Sequence, residues 1–104
     1  MIDVNAILKK AEDVGASDVH FISGLKPIIR VYRELVTINE AEEISKDDIW
    51  DVYDYFLQGS VEKDKFFREN KVLDCSAIFN NIRLRVNISL TDEVPLCTLR
   101  LIKS

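Results

Sequence analysis

The sequence predicts an α+β fold in which helices cover one face of a largely antiparallel sheet of about six strands. Three observations support this prediction. Helical periodicity is confined to the start and the middle of the chain, strand-like runs lie between and after these segments without regular alternation, and 104 residues fit a single domain, 1–104. The predicted order is one helix, three strands, two helices and three strands.

The chain begins with a helix and a short strand. Apolar residues recur at helical spacing over residues 3–14, Asp3 can cap the first turn, and Gly15 can end the helix. Residues 17–22 then alternate between apolar and polar side chains, which predicts the first strand. Glycine and proline in the following residues, 24–27, predict a turn after it.

Two short runs rich in β-branched residues predict a hairpin. They cover residues 28–32 and 35–38 and are joined at Arg33-Glu34, where the glycine usual in tight hairpins is absent.

Two helices are predicted in the middle of the chain. Ser45 and Asp48 form a capping pair in front of an amphipathic segment, residues 46–57, which Gly59 ends. Residues 60–70 predict a shorter helix that lays two aromatic side chains on the core, Phe66 and Phe67. Phe21 and Phe79 are expected in the same core.

The last third of the chain predicts three successive strands, residues 73–79, 83–90 and 95–102. Asn80-Asn81 predicts a hairpin turn, and residues 91–93 predict the second connection.

The arginines are concentrated in these strands. Five of the six lie in apolar runs, namely Arg30, Arg33, Arg83, Arg85 and Arg100, and a guanidinium on a stiff strand is suited to binding a carboxylate or phosphate. The two-residue period of a strand puts Arg83, Arg85 and Asn87 on the face opposite Leu84 and Val86. By the same parity, polar strand residues are expected on the sheet face that the helices leave uncovered: Asp18, His20, Arg83, Arg85, Asn87, Thr98 and Arg100.

Composition and motifs exclude several classes of function. The net charge of −4 disfavours an extended nucleic-acid footprint, and Arg83 to Leu90 lacks the aromatic residues on which bases of a single strand would stack. Cys75 and Cys97 are expected to be reduced thiols in a cytoplasmic protein. No glycine-rich phosphate loop and no metal-ligand spacing is present, so the chain is predicted to be neither an enzyme nor a metal protein.

Other charged residues have structural interpretations alongside functional ones. Eight carboxylates and one lysine lie between Glu34 and Asp54, which is typical of a solvated helix face and, as the alternative, of an acidic docking surface. His20 is expected to be a hydrogen-bonded structural imidazole, and Asp18 to stabilise the turn after the first helix. The strand arginines can form salt bridges with Asp18, Asp74 or a partner, or they can supply charge to a triphosphate that another domain holds.

Five ordered motifs resemble the N-terminal domain of type IV pilus retraction ATPases (PilT), a branch of the type II/IV secretion ATPase superfamily. They are GASDVHF at 15–21, GLKPIIRV at 24–31, LDCS at 73–76, RLRVN at 83–87 and LRLI at 99–102. The resemblance extends from about residue 3 to the end of the sequence. It implies a PAS-like, N2-type domain that precedes a RecA-like motor domain, with that motor domain lying outside the 104 residues.

The resemblance also implies a noncatalytic role in bacterial twitching motility. Such domains pack against the motor domain of the same or a neighbouring subunit in a homo-hexamer at the cytoplasmic side of the inner membrane, and contact the membrane proteins of the pilus base indirectly. The full-length ATPase binds ATP and Mg²⁺. The positions that match its phosphate-contacting arginines are Arg85 and Arg100, with Arg83 a weaker match, whereas the isolated domain needs no cofactor.

The sequence departs from the family pattern at its turns. Tyr32-Arg33 stands where the family has an acid and a glycine, so a distorted or lengthened hairpin is expected, and the connection at 91–94 is short and lacks glycine. No proline follows Ile102, where the exit toward a motor domain is expected. As an alternative function, a PAS-like fold is compatible with a small-molecule sensory or protein-interaction module, which would require a ligand cavity.

Overall fold

Nine elements follow the predicted order in the computed structural model, which describes residues 2–102. The helices are α1 Val4–Asp13, α2 Lys46–Leu57 and α3 Val61–Asn70. The strands are β1 Asp18–Phe21, β2 Ile28–Val31, β3 Glu34–Thr37, β4 Val72–Phe79, β5 Ile82–Thr91 and β6 Val94–Ile102. The predicted α+β class and element order are therefore confirmed. The expected exit after Ile102 lies outside the described residues.

Each helix begins at a polar cap. The Asp3 carboxylate accepts a hydrogen bond of 3.0 Å from the Ala6 amide at the start of α1. In α2 the Asp48 amide donates to Ser45 Oγ at 3.0 Å while the Ser45 amide donates to Asp48 Oδ2 at 3.1 Å, which is the predicted capping box. At the start of α3 the Ser60 hydroxyl accepts a hydrogen bond of 3.2 Å from the Lys63 amide. These caps satisfy amides that have no partner inside their helices.

The six strands form one antiparallel sheet in the order β3-β2-β1-β6-β5-β4. The strands β1 and β6, although far apart in sequence, are neighbours at its centre. Apolar residues on one face of the sheet join those of the helices in a single core. The other face of the sheet, here called the open face, carries no helix.

The short helix α3 buries only one of the two aromatic residues expected in the core. Phe67 is 1% exposed and packs against Tyr53, with ring centroids 5.0 Å apart, whereas Phe66 is 50% exposed. The prediction for Phe66 is wrong because neighbouring residues point about 100° apart on a helix, and α3 packs mainly over the edge strand β4. Phe21 is fully buried and Phe79 packs against the core while partly exposed, so the prediction for these two is confirmed.

Three hairpins, those that join β2 to β3, β4 to β5 and β5 to β6, have two-residue turns with both residues in the left-handed region. Tyr32 has φ 51° and Arg33 has φ 72°, and the ladder resumes directly with Val31 opposite Glu34. This is the backbone that a type I′ hairpin requires, so the hairpin is neither lengthened nor distorted, and that expectation is wrong. The other two turns have the same geometry, at Asn80-Asn81 and Asp92-Glu93.

A polar clamp joins α2 to α3. The Tyr53 hydroxyl donates to Asp64 Oδ1 at 2.7 Å, and Arg68 Nε lies 3.0 and 3.1 Å from the two oxygens of the same carboxylate. The Arg68 guanidinium also lies 5.3 Å from the centroid of the Trp50 ring. The Tyr53 hydrogen bond, followed by those from Arg68, lowers the pKa of Asp64, while burial and the same hydrogen bond raise the pKa of Tyr53.

Candidate functional site

The register of the sheet brings the strand arginines together on the open face. One residue from each strand lies on a single line across the sheet, here called the arginine row: Leu35, Arg30, Asp18, Arg100, Arg85 and Ser76. Arg83 lies two residues before Arg85 on β5, where its neighbours on the adjacent strands are Ile78 and Ile102. The sequence-based prediction that Arg83, Arg85 and Arg100 share the open face is confirmed by this register.

Local sequence determines why Arg85 and Arg100 lie side by side. In β5 the residues Leu84 and Val86 are buried and Arg85 is exposed, and in β6 the neighbours of Arg100 are buried in the same way. The turn Asp92-Glu93 pairs Thr91 with Val94. Six residues away from that pair on each strand, Arg85 lies directly opposite Arg100. A slip of one residue would have opposed Arg85 to a core residue.

The pairing of Arg85 with Arg100 sets two positive charges across from each other. Like charges at directly opposed positions destabilise a sheet. Within residues 2–102, Arg85 and Arg83 have no ion-pair partner, whereas Arg100 contacts a carboxylate on its other side. The pair is therefore a point at which an anion would relieve a repulsion already present in the fold.

That carboxylate belongs to Asp18, whose side chain is 12% exposed between two arginines. Its Oδ1 lies 3.4 Å from Arg100 Nε, and its Oδ2 lies 3.7 Å from Arg30 Nε and accepts a hydrogen bond of 2.7 Å from Ser17 Oγ. The predicted salt bridge of a strand arginine with Asp18 is thus present for Arg100. Among the described residues Asp74 forms no salt bridge and instead accepts a hydrogen bond of 2.8 Å from Asn87.

A second line of residues runs beside the arginine row. It consists of Thr37, Ile28, His20, Thr98, Asn87 and Asp74. His20 Nδ1 lies 3.4 Å from Thr98 Oγ1, whereas its Nε2 is buried and contacts no hydrogen-bonding group among residues 2–102. The imidazole therefore has the expected hydrogen bond on one side only, among the described residues.

Sequence reasoning missed Arg30 as a member of the row. Its guanidinium is held at both ends, by Asp18 and by the Arg33 carbonyl, which accepts a hydrogen bond of 3.2 Å from Nη1. The missed signal is strand parity, because Arg30 alternates with buried Ile29. This alternation is hard to read from the sequence, because Ile28, the neighbour of Arg30 on the same side of the strand, is apolar.

Two cavities lie away from the open face. The larger of the two has a volume of about 510 Å³ and is an open groove between α1 and the segment before α2, lined by residues that include Ile7, Ile38 and Glu43. The second has a volume of about 400 Å³ and lies between α1 and the β2–β3 hairpin. Inside the core, large side chains such as Phe21, Tyr53 and Phe56 are fully buried and packed together.

Residues 2–102 contain no cluster of three side chains suited to holding a metal ion. None of their helices has the length and apolar character required to cross a membrane.

Solved structures share this fold. The pilus retraction motor PilT with bound ADP matches with a TM-score of 0.86 and 22% identity over the whole chain, which spans 30% of that protein. The ATPase DotB of Legionella pneumophila matches with a TM-score of 0.77 and 25% identity over 97% of the chain, and DotB of Yersinia pseudotuberculosis with 0.75 and 16% over 96%. No family model matches the sequence, and no curated protein matches it.

These matches establish that the chain has the fold of one part of type IV pilus and secretion ATPases, which supports the resemblance noted in the sequence. The chain spans 28% of the Legionella DotB and 29% of the Yersinia DotB, so each of these ATPases is much longer than the chain.

Proposed function

We propose that the chain acts as the noncatalytic N-terminal domain of a bacterial type IV pilus retraction ATPase. It packs against a RecA-like motor domain of the same or a neighbouring subunit in a homo-hexamer. Arg85 and Arg100, with Arg83 in a lesser role, approach the phosphates of an ATP that the motor domain holds with Mg²⁺. The assembly works in the cytoplasm at the inner membrane during twitching motility and contacts the membrane proteins of the pilus base through its other parts.

The exposed pair of Arg85 and Arg100 is the observation that carries this proposal. Two guanidiniums on adjacent strands present their donors toward one side of the sheet, and the strands hold their spacing. A phosphate has several acceptor oxygens and matches planar guanidinium donors in geometry and charge. The 104 residues carry no glycine-rich sequence of the phosphate-loop type, and in this proposal another domain presents the nucleotide.

Closure of the two domains would couple nucleotide binding to movement. With the motor domain apart, the arginine row faces solvent, and the repulsion within the Arg85–Arg100 pair is unrelieved. With the motor domain against the open face, the bound phosphates would attract both guanidiniums, so nucleotide stabilises the closed arrangement. The two-state element is the pair of domains, because the domain fold need not change.

The test is ATP hydrolysis by a chain in which residues 1–104 are followed by the motor domain. We expect Arg85→Ala and Arg100→Ala each to lower the rate by roughly 10³-fold or more, which is the range for arginines that meet transition-state phosphates. Arg33→Gly is the charge-matched control, since it removes one positive charge from a turn outside the arginine row. Near-normal hydrolysis by both alanine variants would contradict the proposal.

A further inference from the structure

Asp18 occupies an unusual place for a carboxylate. It lies at the centre of a proposed anion-binding face, next to the arginine that would bind the anion. A negative charge there repels phosphate, so attraction of the anion does not account for it. Its three contacts, with Arg100, Arg30 and Ser17, instead suggest a role in holding a neighbouring side chain.

The contact with Arg100 is made through Nε, the inner edge of the guanidinium. Oδ1 of Asp18 lies 3.4 Å from that nitrogen, and among the described residues the two Nη groups of Arg100 make no hydrogen bond. Its side chain is 73% exposed, so without this contact an arginine would sample many rotamers. A carboxylate that engages Nε fixes the stem of the side chain and leaves the outer donors available.

The carboxylate is itself fixed by the other contacts. Oδ2 accepts the Ser17 hydroxyl at 2.7 Å and lies 3.7 Å from Arg30 Nε, and Arg30 is anchored through Nη1 to the Arg33 carbonyl. Both oxygens are therefore engaged by separate partners. Arg85, one strand further on, has no comparable support within residues 2–102.

We propose that Asp18 is a positioning residue that orders Arg100 and directs its outer donors toward the anion, beside Arg85. This inference rests on the proposed function, because it assigns Asp18 a task within the same site. It has a distinctive consequence: removing the negative charge weakens anion binding, although the face becomes more positive.

Tripolyphosphate binding by the 104-residue chain tests the sign of this effect. Chemical shifts followed by NMR at low salt are expected to show binding by Asp18→Asn that is roughly two- to tenfold weaker than wild type, the range for ordering one long side chain. Asp74→Asn is the matched control, since it removes the same charge from the open face at a residue bonded to Asn87 and not to an arginine. It is expected to bind within about twofold of wild type or more tightly.

Equal strengthening by Asp18→Asn and Asp74→Asn would overturn the proposal, because Asp18 would then act through charge alone. If Asp18→Asn does not fold, Asp18→Glu is the second variant. It keeps the charge and displaces the carboxylate by one methylene, and the same roughly two- to tenfold weakening is expected from the loss of order in Arg100. Wild-type affinity in Asp18→Glu would overturn the proposal.

A second measurement needs no anion. The ¹⁵Nε heteronuclear NOE of Arg100 is expected to exceed that of Arg85 in the wild type and to fall to the Arg85 value in Asp18→Asn. Equal values in the wild type would overturn the positioning role. If Asp18→Asn weakens tripolyphosphate binding and loosens Arg100, while Arg85→Ala and Arg100→Ala hydrolyse ATP at near-normal rates in the chain that carries the motor domain, the positioning role is supported and the proposed function is contradicted.

Discussion

Arg85 is the residue at which stability and the proposed activity are expected to change in opposite directions. Its side chain is exposed and lies opposite Arg100 on one side and Ser76 on the other. Replacing it by threonine removes a like-charge pair, adds a residue that favours strands and creates a Thr–Ser cross-strand pair. Together these changes are expected to stabilise the isolated domain by about 0.5–1 kcal/mol. For a domain of this size that corresponds to a melting temperature higher by roughly 2–5 °C.

Arg100→Thr is the matched comparison, because it removes the other member of the same pair. It relieves the same repulsion but also removes the contact with Asp18, whose carboxylate then retains Arg30 and Ser17 only. An ion pair with one largely exposed partner contributes up to about 1 kcal/mol. The net change is therefore expected to be near zero or unfavourable, and Arg85→Thr should melt at a higher temperature than Arg100→Thr.

Thermal unfolding followed by circular dichroism at low salt and at 1 M salt provides the assay. The Debye length is about 3 Å at 1 M salt, so the gain from Arg85→Thr should shrink there if repulsion causes it. A lower melting temperature for Arg85→Thr at low salt would refute the reasoning. It would mean that Arg85 makes a favourable contact within the domain and is not held in readiness for an anion.

Three further predictions concern the stability of the fold. Arg33→Gly should stabilise the domain by about 1 kcal/mol in chemical denaturation, because a residue with a side chain is strained at φ 72° and glycine is not. Asn81→Gly should gain less stability, because asparagine tolerates the left-handed region, and equal gains would contradict this explanation. In the same assay Phe67→Ala should lower the free energy of unfolding by about 3–5 kcal/mol, and Phe66→Ala should lower it by less than about 1 kcal/mol, because only Phe67 is buried. Similar losses for the two variants would contradict this difference in burial. The pKa of Asp64 is below its ordinary value of 3.8 in the folded chain, so the stability that its hydrogen bonds give is complete above pH 3.8 and is lost as the pH falls. The free energy of unfolding of Asp64→Asn should therefore be lower than that of the wild type at neutral pH, and the difference should shrink toward pH 2. A difference that does not depend on pH would contradict the assignment.

Much of the fold could be predicted because its signals are local. Alternation in β5 and β6 predicted which residues face the core, and the capping pair Ser45 and Asp48 predicted the start of α2. Once these faces were assigned, the candidate arginines followed from parity. Burial enforces the assignment, because the opposite orientation would place guanidinium groups in the core.

Register and turn geometry were less accessible from the sequence. The sequence suggested a three-residue connection at 91–93, whereas the structure has a two-residue turn that pairs Thr91 with Val94. The hairpin at Tyr32-Arg33 lacks glycine and still adopts left-handed backbone, because the pairing of its strands outweighs a local cost of about 1–2 kcal/mol per residue. The link between Asp18 and Arg100 spans 82 residues, so only tertiary structure reveals it.

The adjacent arginines Arg100 and Arg85 differ in how firmly they are held, and the difference bears on mechanism. Arg100 is tied through Nε to a carboxylate that has two other partners, whereas Arg85 has no ion-pair partner among residues 2–102. A held guanidinium defines where an anion can bind with little loss of entropy, and an adaptable one can follow the anion as the distance between two domains changes. A face made of two held arginines would bind only one geometry, and a face made of two mobile ones would bind weakly. One of each suits a site completed by a partner that moves, and loss of Asp18 is expected to weaken anion binding by leaving Arg100 as mobile as Arg85.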